Sequence, residues 1–303
     1  MNIIINGFAH GGTNIAVNLL LSHPDLCYPG ETHKALAGGT KSHGRVRRRL
    51  KRLEFELSKR RYGVGVLSDP YALDFEEPFA AGAAQWLRAT LEREKRRARH
   101  ESHNLWKLPG VPYRRSERAK AGILLKNNNT VGVHSDLFQK AFPDARTICL
   151  FRHPFALMES QVRKGRSPEL ILNVLSLTWS ALREQLESSR GDHLMVRFED
   201  ILADPHRLLG ELYSFAGLDV SDVAFIRLQH KAHYGSEGQY AHHGAYDRQV
   251  VWNARNDFDC HLDPQSNIRA IERLDDALKH RVAKELGPMA ESTGYLMSPP
   301  YVK

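Results

Sequence analysis

The residue types that could do chemistry gather first near the N-terminus. Gly7, Gly11 and Gly12 are followed directly by Thr13 and Asn14, and His10 stands among them. Glycines allow a tight turn and close backbone approach to a ligand. A turn of this kind, opening into a helix, aims several N–H groups and the positive end of the helix dipole at one point. That is an anion site, and phosphate is its usual occupant. Gly7 and Gly12 have the spacing of the phosphate-loop signature G-x-x-x-x-G-K-[ST], but Thr13 and Asn14 stand where Lys and Ser/Thr should be. The lysine for the terminal phosphates and the hydroxyl for Mg²⁺ are both missing, which disfavours an ATPase or GTPase. Further on, Lys126 ends one apolar run and Arg152 ends another, with Ser160 eight residues past Arg152. Glu31 and His33 are candidate proton acceptors.

These residues need elements to position them. Ile3-Ile4-Ile5 reads as a buried strand, and Ile15 to Leu21 as the helix after the turn. Ala121–Asn127 reads as a strand, and Ser135 is predicted to cap a helix over Asp136–Phe142. Phe142 to Ser160 reads as strand, turn and helix, with Pro154 in the first helical turn. Residues 169–189 are predicted helical, with Trp179 in the core. A strand over His193–Phe198 and helices over 204–216 and about 264–286 follow, the last stopped by Gly287-Pro288. The alternation predicts an α/β three-layer sandwich around a central parallel sheet.

Together, the N-terminal turn and the Phe142–Ser160 stretch resemble the sulfotransferase family, whose fold is like that of the P-loop NTPases. His23-Pro24-Asp25-Leu26, the run Val196 to Pro205, and Phe215-Ala216-Gly217-Leu218 add to the resemblance, with an echo at Gly294-Tyr295. It covers about residues 1–35 and 121–220. It implies one domain over 1–303 and the donor 3′-phosphoadenosine 5′-phosphosulfate (PAPS), leaving 3′,5′-ADP, with no metal. By resemblance, His10, Gly11, Gly12, Thr13 and Asn14 hold the phosphosulfate. Arg152, Ser160 and Lys164 hold the 3′-phosphate. Glu31 is the base that deprotonates an acceptor hydroxyl, with His33 as the alternative. His10, protonated beside the phosphates, or Lys126 offsets charge on the leaving oxygen. A glycan or glycolipid acceptor is favoured over a peptide or small molecule. The sequence departs from the family in three places. His10 replaces the usual Lys or Arg, Gly11 replaces a frequent Ser, and Phe198 replaces the Tyr commonly found near the adenine.

Composition sets wider bounds. The chain has 303 residues, 42% hydrophobic and 26% charged, as in ordinary globular proteins. With 43 Lys and Arg against 35 Asp and Glu, the formal net charge is +8, which suits an anionic ligand of any kind. Three scattered cysteines fit a reducing compartment, and the absence of an apolar run of about 18 residues predicts a cytoplasmic protein. Residues 38–120 read as a basic, mostly helical insertion that shapes the acceptor site. Within it, 41–61 is a basic amphipathic segment with Leu50, Leu53 and Leu57 at helical spacing, a candidate membrane-surface contact. The acceptor is expected to be polar or anionic, carbohydrate favoured, and no basic-aromatic stripe points to nucleic acid. Residues 229–262 are rich in His, but none of them has zinc-site spacing. They read as a loop closing over the nucleotide, with Lys231 and Arg248 as phosphate contacts. Two other readings stay open: a nucleotide kinase-like phosphotransferase, and a non-catalytic basic anion-binding module.

Overall fold

The computed structural model describes residues 1–37, 45–74, 78–97, 106–188, 191–229, 250–299 and 301. The three N-terminal isoleucines set its layers. Successive side chains of a strand point to opposite faces. In β1 (Asn2–Gly7), Ile3 and Ile5 therefore enter one core and Ile4 another, all of them buried. A strand apolar on both faces belongs inside a sheet covered by helices on both sides.

The chain continues through α1 (Thr13–Leu20), β2 (Leu26–Cys27), α2 (Thr32–Ala37), α3 (Arg45–Tyr62) and α4 (Ala83–Arg97). A small hairpin of β3 (Trp106–Leu108) and β4 (Val111–Pro112), then α5 (Arg115–Lys120), leads to β5 (Gly122–Asn128) and α6 (Ser135–Ala141). There follow β6 (Ala145–Phe151), α7 (Pro154–Val162), α8 (Pro168–Glu187), β7 (His193–Arg197), α9 (Phe198–Ala203) and α10 (Pro205–Ala216). A second hairpin, β8 (Phe225–Gln229) with β9 (Val250–Ala254), precedes α11 (Ser266–Arg273) and α12 (Asp276–Ser292).

The main sheet has the order β2-β5-β1-β6-β7, and every pairing in it is parallel. Gly7 lies opposite both Asn128 and Leu150, so the carboxyl ends of β1, β5 and β6 open side by side. The chain leaves β1 toward β2 and β5 on one side and toward β6 on the other. Such a switch point leaves a crevice at the carboxyl edge, where ligands of open α/β sheets bind. On one face, Ile3, Ile5, Ile148 and Leu150 pack with α1, α10 and β8. On the other, Ile4, Ile123 and Leu125 meet Phe55, Leu87 and Phe138. Beside them Phe8, Cys149 and Phe151 close on α7, α8, α11 and α12. Trp179 is at the centre of that cluster, as expected, with ring centroids 5.2 Å from both Phe8 and Phe151.

Three expectations change. Ser135 is the first residue of α6 and not its cap; His134 holds that position, with no capping bond from its side chain. The single helix expected over 264–286 is two. Asp275 interrupts it by accepting from the Leu278 N–H, a cap that starts α12 afresh. Gly287 and Pro288 then lie inside α12 instead of ending it. The basic amphipathic helix expected within 41–61 is α3 (Arg45–Tyr62); its leucines face solvent, and Phe55 makes the buried contact.

Candidate active site

The loop between β1 and α1 is held from three sides. The Gly11 N–H donates to the Phe8 carbonyl at 2.8 Å and closes the turn. The Ala9 N–H donates to Asn129 Oδ1 at 2.8 Å, while Gln161 Nε2 donates to the Ala9 carbonyl at 2.9 Å. The His10 carbonyl accepts from Arg152 Nη1 at 2.6 Å. These bonds hold His10 at φ 67°, a left-handed conformation that costs a non-glycine residue about 1–2 kcal/mol. Gly12 is also left-handed, at φ 89°, and a Cβ there would overlap the Phe198 ring. Glycine is required on both counts. α1 starts at Thr13; the Ile15 and Ala16 N–H groups donate to the Gly12 carbonyl at 2.8 and 3.3 Å, while those before them have no earlier helical carbonyl to meet. The N–H groups of Gly12, Thr13 and Asn14 are thus the donors left to the loop. The Gly11 N–H is committed to the turn. Thr13 is buried, and its hydroxyl donates to Asn128 Oδ1 at 3.3 Å, so it offers the loop its backbone only.

Beside this loop lies a buried acid–base cluster. Glu31 bridges to β5 in register with Lys126. Lys126 Nζ donates to Glu31 Oε1 at 2.7 Å and to Asn14 Oδ1 at 2.6 Å, and the residue is only 2% exposed. Lys34 makes a second ion pair with Glu31, and His33 Nε2 lies 3.9 Å from Glu31 Oε2. Burial alone would raise the Glu31 pKa, but Lys126 and Lys34 outweigh it and hold the carboxyl well below the usual range. Burial pushes His33 down to about 4, against the pull of Glu31, so its ring is neutral at physiological pH.

Arg152 flanks the loop on its other side. Its Nε donates to Asn267 Oδ1 at 2.8 Å, and its guanidinium carbon lies 4.7 Å from the Phe198 ring centroid. Asn267 in turn donates to Glu199. Glu199 also accepts the His153 N–H at 2.9 Å and the Tyr295 hydroxyl at 2.8 Å. Burial raises the pKa of this carboxyl. One acid therefore ties together the start of α7, the start of α11 and the C-terminal segment.

Eight of the ten predicted site residues gather here: His10, Gly11, Gly12, Thr13, Asn14, Glu31 and Lys126, with Arg152 on the same side of the sheet. Ser160 is buried on α7, and Lys164 is exposed in the turn beyond it. Phe198, at the position the resemblance puts near the adenine, is buried between Gly12 and Arg152. Lys231, Arg248 and residues 230–249 of the closing loop expected over 229–262 lie outside the described residues, and its later part forms β9 and a short helical turn at Phe258–His261. The sequence reading missed Asn129, Gln161, Glu199 and Asn267. The one available signal was the amide run Asn127-Asn128-Asn129 at a strand end.

A parallel sheet whose central strand passes through a glycine turn into a helix, with neighbouring strand ends supplying Lys126 and Arg152, defines an α/β protein of the P-loop-like class. A sulfotransferase family profile matches residues 2–222, and the chain belongs to that family. It is accordingly a transferase of sulfuryl groups. The sulfotransferase domain of the Synechococcus PCC 7002 olefin synthase is similar in fold, with a TM-score of 0.53 and 19% identity over 97% of this chain and 94% of that one. A sulfotransferase from Alicyclobacillus acidocaldarius aligns with a TM-score of 0.44 and 14% identity, over 96% and 95% of the two chains. No curated protein sequence matches at a significant level.

Proposed function

We propose that the chain takes PAPS across the carboxyl edge of its sheet and passes the sulfuryl group to an acceptor hydroxyl, with a glycan or glycolipid as the favoured acceptor. One observation carries the reading. The glycine loop and Arg152 share a single wall, joined through the His10 carbonyl and the Phe198 ring. The residues present fit the donor. The N–H groups of Gly12, Thr13 and Asn14 would hold its phosphosulfate, and Arg152, with Ser160 and Lys164, its 3′-phosphate. When bound, PAPS supplies the electrophilic sulfuryl group and a phosphate leaving group.

Lys126 replaces the lysine that the loop lacks. It reaches Asn14 from the neighbouring strand, and so places a buried cation at the start of α1. His10 is a half-buried second candidate for the same task. Glu31 is ionised and ready to accept a proton, but while Lys126 and Lys34 hold it, it is a weak base. Lys126 is shared between Asn14 and Glu31. Any turn of its ammonium toward the loop loosens its grip on Glu31 and makes that carboxylate more basic.

The test is a thermal-shift series with 3′,5′-ADP, ADP, ATP and GTP. A ligand that binds only the folded state at about 100 times its Kd adds about 2.7 kcal/mol. Selective stabilisation by 3′,5′-ADP, lost in Arg152→Ala, is the expected result. Equal shifts with ADP and 3′,5′-ADP, or Mg²⁺-dependent ATP turnover, would overturn the reading in favour of a phosphotransferase.

A further inference from the structure

The most unusual surface of the molecule is α3. Its 18 residues include nine Lys or Arg and two Glu, so it carries +7 of the chain's +8. It also carries an apolar ridge. Val46, Leu50, Leu53 and Leu57 are 73%, 62%, 58% and 61% exposed. At 100° per residue they fall within about 60° of one another and form a straight ridge about 16 Å long. Isolated exposed aliphatic side chains are ordinary, but four on one helical pole are a patch.

The helix cannot roll to hide this ridge. Its opposite pole is fastened to the body. Phe55 is buried, with its ring 6.2 Å from that of Trp86. Lys51, also buried, pairs with Glu94 at 2.5 Å and donates to the Ala35 carbonyl at 3.1 Å. Glu54 pairs with Arg93 at 2.6 Å. By the same helical geometry, Arg49 and Arg60 border the ridge on one side and Arg61 on the other, and all three are exposed.

We infer that α3 is a membrane-docking helix that lies on an anionic lipid surface. Charge selects this occupant. A second copy of the chain would bring +7 against +7. Nucleic acid would answer the charge but leave the aliphatic ridge unmatched, and the ridge has no aromatic ring to stack on a base. An anionic bilayer answers both features. The ridge sinks about 5–10 Å into the boundary between headgroups and acyl chains, and the flanking arginines meet the lipid phosphates. The docking would also bring the acceptor side of the site close to the surface, because Lys51 ties α3 to α2 and α2 starts one residue after Glu31. The inference does not depend on PAPS chemistry, and its test involves no turnover.

The test is co-sedimentation of the full chain with vesicles of phosphatidylcholine alone, or with about one third phosphatidylglycerol. Binding at least about tenfold tighter to the anionic vesicles is expected. Leu50→Ser/Leu53→Ser/Leu57→Ser and Arg49→Gln/Arg60→Gln/Arg61→Gln should each weaken it by about tenfold or more, with unchanged circular dichroism and melting temperature. Leu53→Cys carrying an environment-sensitive dye should shift to the blue on anionic vesicles only, which checks the contact without touching the rest of the ridge. The proposal is overturned if neither vesicle binds. It is overturned equally if the leucine variant binds as well as wild type, or if poly-glutamate binds α3 as tightly as the vesicles do. A dimer in solution that is lost in the leucine variant would assign the ridge to a second copy instead.

Discussion

Replacing Lys126 by Met keeps the aliphatic stem and deletes the ammonium. Lys126 makes two charge-assisted bonds, at 2.7 Å to Glu31 and 2.6 Å to Asn14, from a position 2% exposed. Removing one partner of a buried ion pair costs about 3–5 kcal/mol, because the other charge stays buried without it. Lys34 remains on Glu31, but its side chain is half exposed and screened. The expected loss is therefore about 3 kcal/mol near neutral pH. The pH dependence identifies the cause. The folded-state pKa of Glu31 lies below its unfolded value of about 4.3. Its contribution is complete above that value and is lost as pH falls through it toward the folded pKa. The gap between wild type and Lys126→Met should therefore narrow by up to about 1.4 kcal/mol per unit of pH below about 4. Urea denaturation of both proteins at about pH 7 and about pH 3.5 measures it. A gap below about 1 kcal/mol at neutral pH, or an equal gap at both pH values, would refute the ion-pair account.

Other changes test the scaffold. Gly12→Ala must hold a left-handed φ and displace the Phe198 ring; a loss of more than about 2 kcal/mol in chemical denaturation is expected. Trp179→Ala empties the space between Phe8, Phe151 and Tyr295 and should cost about 3–5 kcal/mol by the same assay. Tyr295→Phe removes the donor to Glu199 Oε2, for about 1–3 kcal/mol. Burial already raises the Glu199 pKa, and the lost donor raises it further. An acid whose folded pKa is raised loses stability as pH rises above its unfolded value, so the Tyr295→Phe deficit should grow as pH rises above about 4.3.

The sequence carried much of the fold because local signals agreed there. Three consecutive isoleucines, a glycine turn and Pro154 each name an element on their own. Arg152 was legible because it directly follows a strand and stands two residues before the helix-starting Pro154. Asn129 and Gln161 were not, because their amides hold the loop from 120 and 152 residues away in the chain, nor was Asn267, which meets Arg152 across 115 residues. Periodicity located the leucine stripe of α3 but could not say which pole faces water. That depends on Phe55 and Lys51 finding partners on α4 and α2. The break at Asp275 was hidden for a related reason. A single capping acid in a charged stretch looks like any other surface residue until its bond to Leu278 is seen.

The ring of Phe198 touches Gly12 along one edge and lies under the Arg152 guanidinium. The interval between the glycine loop and Arg152 is thus bridged by one aromatic plate, with the strands themselves left alone. Exchanging that single side chain would alter the interval without rebuilding either strand end.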